Sequence, residues 1–148
     1  MKRLTFFTVL TCLSFISLAQ KVNDTTAIRL LLEKESATWR SGDVKGHAEC
    51  WHVQPYSRIL VSTADGNTID VPPIVMINPP ATMVGQGGYA INSNYKMSIS
   101  KNTAWVSHHE ESVAKDGKKS FSYEIRLLEK IKGQWKLVGQ SIHMYKPI

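Results

Sequence analysis

The chain has 148 residues, 43% hydrophobic and 20% charged, with 18 Lys and Arg against 12 Asp and Glu for a formal net charge of +6. That length suits one domain with one core. The basic surplus is scattered over turns and outer strand faces (Lys101, Lys115, Lys118, Lys119, Lys132) instead of forming a stripe, which argues against a nucleic acid partner.

Met1 to Ala19 opens with Lys2 and Arg3, runs apolar from Leu4 to Leu18 and closes on Ser17-Leu18-Ala19, the three parts of a secretory signal peptide. The run is shorter than the roughly 20 residues a membrane span needs. We therefore expect an exported protein, periplasmic or extracellular, with a signal peptide at residues 1–19, one domain at 20–148, and no stable membrane insertion after cleavage. Sixteen basic residues then face 12 acidic ones, and Cys50 is the sole cysteine left, which excludes an intramolecular disulfide and suits a small buried hydrophobe.

Residues 23–41 place Ile28, Leu31, Leu32 and Trp39 on one helical face, with Asn23 or Asp24 as N-cap and Gly42 as stop. Asp43 caps a second, shorter helix with Val44, His47, Ala48 and Trp51 along its stripe, ended by Pro55. A strand over 57–63, a turn at Asp65-Gly66 and a strand over 68–71 follow. Between 72 and 88, two Pro-Pro pairs and three glycines leave room for no long element, the composition of a lid, a binding loop or a mobile insertion.

From Ala90 to Tyr145, four alternating runs are separated by Lys101-Asn102, Asp116-Gly117 and Lys132-Gly133, which reads as three successive β-hairpins. Taking each turn as two residues fixes the register. One face then collects Tyr95, Met97, Ile99, Val106, Phe121, Tyr123, Ile125, Leu127, Val138, Ile142 and Met144, with His108, Glu110 and Gln140 embedded in it. The other carries Asn94, Lys96, Ser107, His109, Glu111, Glu124, Arg126, Ser141 and His143 around Trp105, Trp135, Leu128 and Leu137, with His109 opposite Glu124 and Ser107 opposite Arg126. An apolar sheet face with a few inward polar groups under two helices is the composition of a small-molecule pocket. The aromatic and charged outer face is of the kind a homodimer buries.

Two helices, a short hairpin, an irregular stretch and a long antiparallel sheet resemble the nuclear transport factor 2-like superfamily, with its SnoaL-like and ketosteroid-isomerase-like members. The resemblance rests on Trp39-Arg40-Ser41-Gly42-Asp43 closing the first helix and on Glu124-Ile125-Arg126-Leu127-Leu128-Glu129-Lys130 leading into Gly133-Gln134-Trp135-Lys136-Leu137-Val138. It implies an α+β fold in which two or three N-terminal helices cover the concave face of a cone-shaped, curved antiparallel sheet, and it makes a dimer the expected assembly. It also implies that Val138, Gln140 and Ile142 line the pocket. The buried acid of the isomerases would fall at Ile125, so steroid isomerase chemistry, which needs a neutral carboxylic acid as donor, is not supported. Similar short secreted chains are sometimes labelled endo-arabinases. Glycoside hydrolysis ordinarily needs two carboxyls flanking one bond, and in this register Glu110 faces away from both Glu111 and Glu124, leaving only Asp65 or Asp70 to pair with it.

Other chemistry is thin. His108 and His109 are strand neighbours and face apart, and His47 and Cys50 lie one helical turn apart without further ligands, so no metal and no cofactor are expected. Two readings follow. In the first, a noncatalytic domain binds a small apolar or amphipathic molecule, with Trp51, Tyr95 and Tyr123 as walls and His108 and Gln140 orienting it. In the second, the domain is an acid-base enzyme of the isomerase, dehydratase or hydrolase type, with His108 as general acid or base, Glu110 or Asp70 orienting it and Tyr123 polarising an oxygen.

Overall fold

The structure, a computed structural model, describes residues 23–147; the expected signal peptide at 1–19 lies outside the described residues. Helix α1 (Asp24–Ser41) starts where the Asn23 side chain accepts a hydrogen bond from the Thr26 N–H at 2.8 Å. It stops at Gly42, whose φ of 80° and close approach to Gly85 suit a residue without a Cβ. Asp43 caps α2 (Val44–Ala48) through the Gly46 N–H at 2.9 Å.

The strands are β1 (Ile59–Ser62), β2 (Thr68–Val71), β3 (Tyr89–Ser100), β4 (Thr103–Val113), β5 (Lys119–Ile131) and β6 (Gln134–Tyr145). They form one curved six-stranded sheet in the order β2-β1-β6-β5-β4-β3. The α+β class follows the expectation. The sheet is mixed, however, because β1 runs parallel to β6 while every other pair is antiparallel. Ile28 and Leu32 of α1 pack with Trp51, Ile59, Val106, Leu128 and Leu137 to form the core. Asp24 Oδ1 pins the start of α1 to the last hairpin, accepting from Lys130 Nζ at 2.6 Å and Trp135 Nε1 at 3.0 Å.

Residues 72–88 hold a 3-10 turn (Pro73–Met76) and then irregular backbone. This stretch is fastened to the end of α1, with Gly85 N–H donating to Trp39 O at 3.0 Å and Gly87 N–H to Arg40 O at 2.9 Å. Met76, the last residue of the 3-10 turn, is buried.

Two of the three hairpin turns have the expected two residues, Lys101-Asn102 between Ser100 and Thr103, and Lys132-Gly133 between Ile131 and Gln134. The middle one does not. Ala114 pairs with Lys118 (N–H to O, 2.8 Å), so Lys115-Asp116-Gly117 forms a three-residue loop with Gly117 left-handed at φ 81°. That extra residue slides β5 by one position against β4 and turns all of its side chains over. His108, not His109, faces Glu124; Val106, not Ser107, faces Arg126.

A bulge between Leu127 and Leu128 makes a second correction. Leu128 and Leu137 pair before it, and Arg126 with Gln140 and Glu124 with Ile142 after it. Leu128, Trp135 and Leu137, expected outside, are core residues, whereas Gln140 keeps its inward place. Tyr123, Ile125 and Leu127, expected inside, are 48%, 41% and 48% exposed on the outer face.

Gly88 has φ 79° and an added Cβ would lie 2.1 Å from the Val113 carbonyl oxygen, whereas Gly117 has similar φ and open space around it. Gly117→Ala should cost about 1 kcal/mol from backbone strain alone, and Gly88→Ala at least about 1 kcal/mol more, measured by urea denaturation.

Candidate functional site

Because β5 is turned over, its charged residues lie beneath α1. Arg126, 5% exposed, donates through Nη1 to Glu35 Oε2 of α1 at 3.3 Å and to Gln140 Oε1 of β6, and through Nη2 to Glu124 Oε2. Glu124 Oε1 accepts from Ser122 Oγ at 3.0 Å. Glu35 Oε1 accepts from Trp51 Nε1 at 3.3 Å and faces His47 Nε2 at 3.1 Å. The other His47 nitrogen lies 2.8 Å from the Met76 carbonyl, which can only accept, so Nδ1 carries a proton and Nε2 is the nitrogen turned toward Glu35.

The network is costly to break. Removing one partner from a buried ion pair costs about 3–5 kcal/mol because the other charge is stranded. Burial works against ionisation of Glu35, but Arg126, His47 and Trp51 outweigh it and hold its carboxyl below the usual carboxylate range. Burial likewise opposes the charge on Arg126, and Glu124, Glu35 and Glu110 together push its proton affinity above that of a free guanidinium.

Beside the network is a cavity of about 200 Å³. Glu35, Ser36, Trp39 and Arg40 of α1 form one side, Ile59, Val61 and Val71 of the short hairpin another, Met76 and Met83 close it, and Glu110, Glu124, Arg126, Gln140 and Ile142 of the sheet form its floor. The irregular 72–88 stretch thus contributes wall residues. Glu110 Oε1 accepts from Arg40 Nη2 at 2.7 Å, and the same nitrogen reaches Ser112 Oγ at 3.1 Å. Burial, then repulsion from Glu124, raises the Glu110 carboxyl to about 7 in spite of Arg40 and Arg126.

The residues expected at the site separate into three groups. Gln140 and Glu110 line the cavity. Trp51, Tyr95 and His108 stand outside its lining: Trp51 is a core residue bonded to Glu35, and the His108 ring is buried against Tyr95 with centroids 5.2 Å apart. His108 Nε2 is 3.7 Å from Glu124 and without a hydrogen bond, and burial, then Arg126, lowers the pKa so that the neutral ring is favoured. Tyr123 is turned to the outer face, edge-on to His109 and stacked on Tyr145, and lines a separate, open hollow there together with Tyr95 and His108. Asp70 is engaged by Arg58 at 2.7 Å on the exposed hairpin, and Asp65 by Thr63 and Asn67 in its turn.

Sequence reasoning missed Glu35, Arg40, Glu124 and Arg126. One signal was present: the two-residue register left Leu128, Trp135 and Leu137 together on a face meant for solvent or a partner, an apolar load that a different register returns to the core. The objection that Glu110 and Glu124 face apart also falls, since both line the cavity. Yet both Glu124 oxygens are occupied by Ser122 and Arg126, so Glu110 is the one cavity carboxyl with a free oxygen among the described residues. His47 and Cys50 are also engaged: the Cys50 thiol donates to Gly46 O at 3.3 Å, and burial pushes it up to about 11.

No protein-family model matches the chain, and no curated protein does. Among solved structures, an NTF2-like protein from Cytophaga hutchinsonii aligns over 83% of this chain and 99% of its own, with a TM-score of 0.63 and 18% identity. A protein of unknown function with a cystatin-like fold from Nostoc punctiforme covers 84% of this chain and 93% of its own at TM-score 0.64 and 14% identity. An NTF2-like protein of unknown function from Shewanella baltica covers 82% and 93% at 0.60 and 14%. The chain has the nuclear transport factor 2-like fold. At these identities the likeness carries no activity across, so what the domain does is argued from its own side chains.

The raised Glu110 carboxyl has a stability consequence. The folded state holds this proton more tightly than the unfolded chain, so the Glu110 contribution is complete below the ordinary glutamate value of 4.5 and is lost as pH rises toward about 7. Denaturation of the wild type over that interval should show a loss on the order of 3 kcal/mol that Glu110→Gln removes.

Proposed function

We propose that the chain is an exported small-molecule-binding domain whose cavity holds a compact apolar or amphipathic molecule between α1 and the sheet. The observation that carries this reading is the cavity of about 200 Å³, where Trp39, Ile59, Val61, Met76 and Ile142 offer an apolar wall and Glu110 and Gln140 offer polar groups. Its volume, below the roughly 300 Å³ at which drug-sized pockets begin, favours a small ligand. Neither metal nor cofactor is called for. Export rests on the charged start, apolar run and small-residue close of residues 1–19.

A second reading, an acid-base enzyme, is favoured by one observation: Glu110, raised to about 7, has an oxygen without a hydrogen-bond partner among the described residues and can both give and take a proton near neutrality. In that reading Glu110 takes the role first expected of His108. A glycosidase is less well supported, for want of a second free carboxyl.

Homodimerisation through the outer sheet face belongs to the same proposal. Tyr123, Ile125 and Leu127, turned outward, join exposed Trp105 there and make that face more apolar than the sequence register suggested.

Two experiments test these readings. A screen of small metabolites should yield compounds that raise the melting temperature and perturb Trp39 fluorescence, and Val61→Phe, which fills the cavity, should abolish both effects; binding that survives Val61→Phe refutes the cavity as the site. Turnover of any such compound, with a rate inflection near pH 7 lost in Glu110→Gln, would establish the enzyme reading. Separately, light scattering should give a dimer mass that falls to monomer in Leu127→Glu, and a monomeric wild type at micromolar concentration refutes the interface.

A further inference from the structure

The protonation chemistry of the Arg126 network fixes which way one cavity amide points. A guanidinium has donors only, so the Gln140 atom against Arg126 Nη1 is the carbonyl oxygen, and its NH2 is turned elsewhere. Gln140 is 8% exposed and lines the cavity, and its Nε2 has no hydrogen-bond partner among the described residues. Glu110, 9% exposed, uses Oε1 for Arg40 and leaves Oε2 without a partner among them. The cavity therefore offers a fixed amide donor and a carboxyl oxygen, each on a buried residue and each without a partner among the described residues.

Resting on the reading of this cavity as a ligand site, the structure assigns it a substrate class: a compact neutral compound bearing a carbonyl oxygen for the Gln140 amide and an N–H or O–H for Glu110. Charge argues for neutrality. An anion would share the cavity with the carboxyls of Glu35, Glu110 and Glu124, and a cation with the guanidinium groups of Arg40 and Arg126, one of which already holds Glu110 at 2.7 Å. A ligand lacking either hydrogen-bonding group would cover a cavity-facing polar atom without pairing it, the kind of mismatch binding sites reject most strongly.

The test uses three compounds of similar size: 2-piperidone, which has both groups and no charge, cyclohexanecarboxylate and cyclohexylammonium. Each is titrated into the 15N-labelled protein, with shifts followed at the Gln140 side-chain amide and at backbone amides around the cavity. 2-Piperidone should bind about tenfold more tightly than either ion, with the Gln140 NH2 resonances shifting. Gln140→Glu keeps an oxygen for Arg126 but replaces the amide donor with an acceptor, so it should weaken 2-piperidone about tenfold and favour cyclohexylammonium. Ions binding as tightly as 2-piperidone, or an unchanged order in Gln140→Glu, would overturn the assigned class while leaving the cavity a ligand site. If none of the three shifts cavity residues, the ligand-site reading falls and this inference with it.

Discussion

Arg126 is the group around which the rest of this domain is arranged. It lies beneath a helix on the concave side of a sheet, and its donors meet a carboxylate from α1, a carboxylate from its own strand and an amide oxygen from β6. Such a group contributes little net stability against a well-packed hydrophobic alternative, because desolvating the charges offsets much of their attraction. What it contributes is geometry. Glu35 is held at one height along α1, Glu124 is saturated, and Gln140 is left one orientation, so the fold and the chemistry of the cavity share one cause.

That network also explains why Glu110 differs from its neighbours. Glu35 and Glu124 have partners on both oxygens and enter the mutual neutralisation with Arg126. Glu110 has Arg40 on one oxygen and sits close enough to Glu124 to be repelled by it, so its proton is held to about 7. Buried polar groups are normally satisfied within the protein. Glu110 and Gln140 instead each keep one polar atom turned toward the cavity without a partner among the described residues.

Much of the architecture was legible in the sequence. Helix periodicity, the Asn23 and Asp43 caps, Gly42, and two of the three hairpin turns gave the elements and most of the sheet order, since each is a local signal with a local cause. The site was legible only in part, because strand facing is a parity. Asp116-Gly117 is compatible with a two-residue turn and with a three-residue loop ending in left-handed glycine, and the choice exchanges Tyr123, Ile125 and Leu127 for Glu124 and Arg126. Hydrophobicity alone favours the wrong choice, since it cannot register that Glu35, 91 residues earlier on a helix, supplies a carboxylate that makes a buried arginine tolerable. Gln140 was placed correctly because the bulge beside Leu127 restored the expected parity in the second half of β6.

The same parity decides the outer surface. A strand with alternating charged and apolar residues cannot bury both sets, and committing Glu124 and Arg126 to the interior commits Tyr123, Ile125 and Leu127 to the exterior. Together with Trp105 on β4 they form an apolar strip that water would leave exposed at a cost of roughly 25 cal/mol for each Å² a partner could cover. A charged interior therefore shifts hydrophobic surface outward, where association can recover what the core has forgone. In this chain a cavity lined by charged groups and an apolar strip on the outer face are two consequences of one three-residue turn.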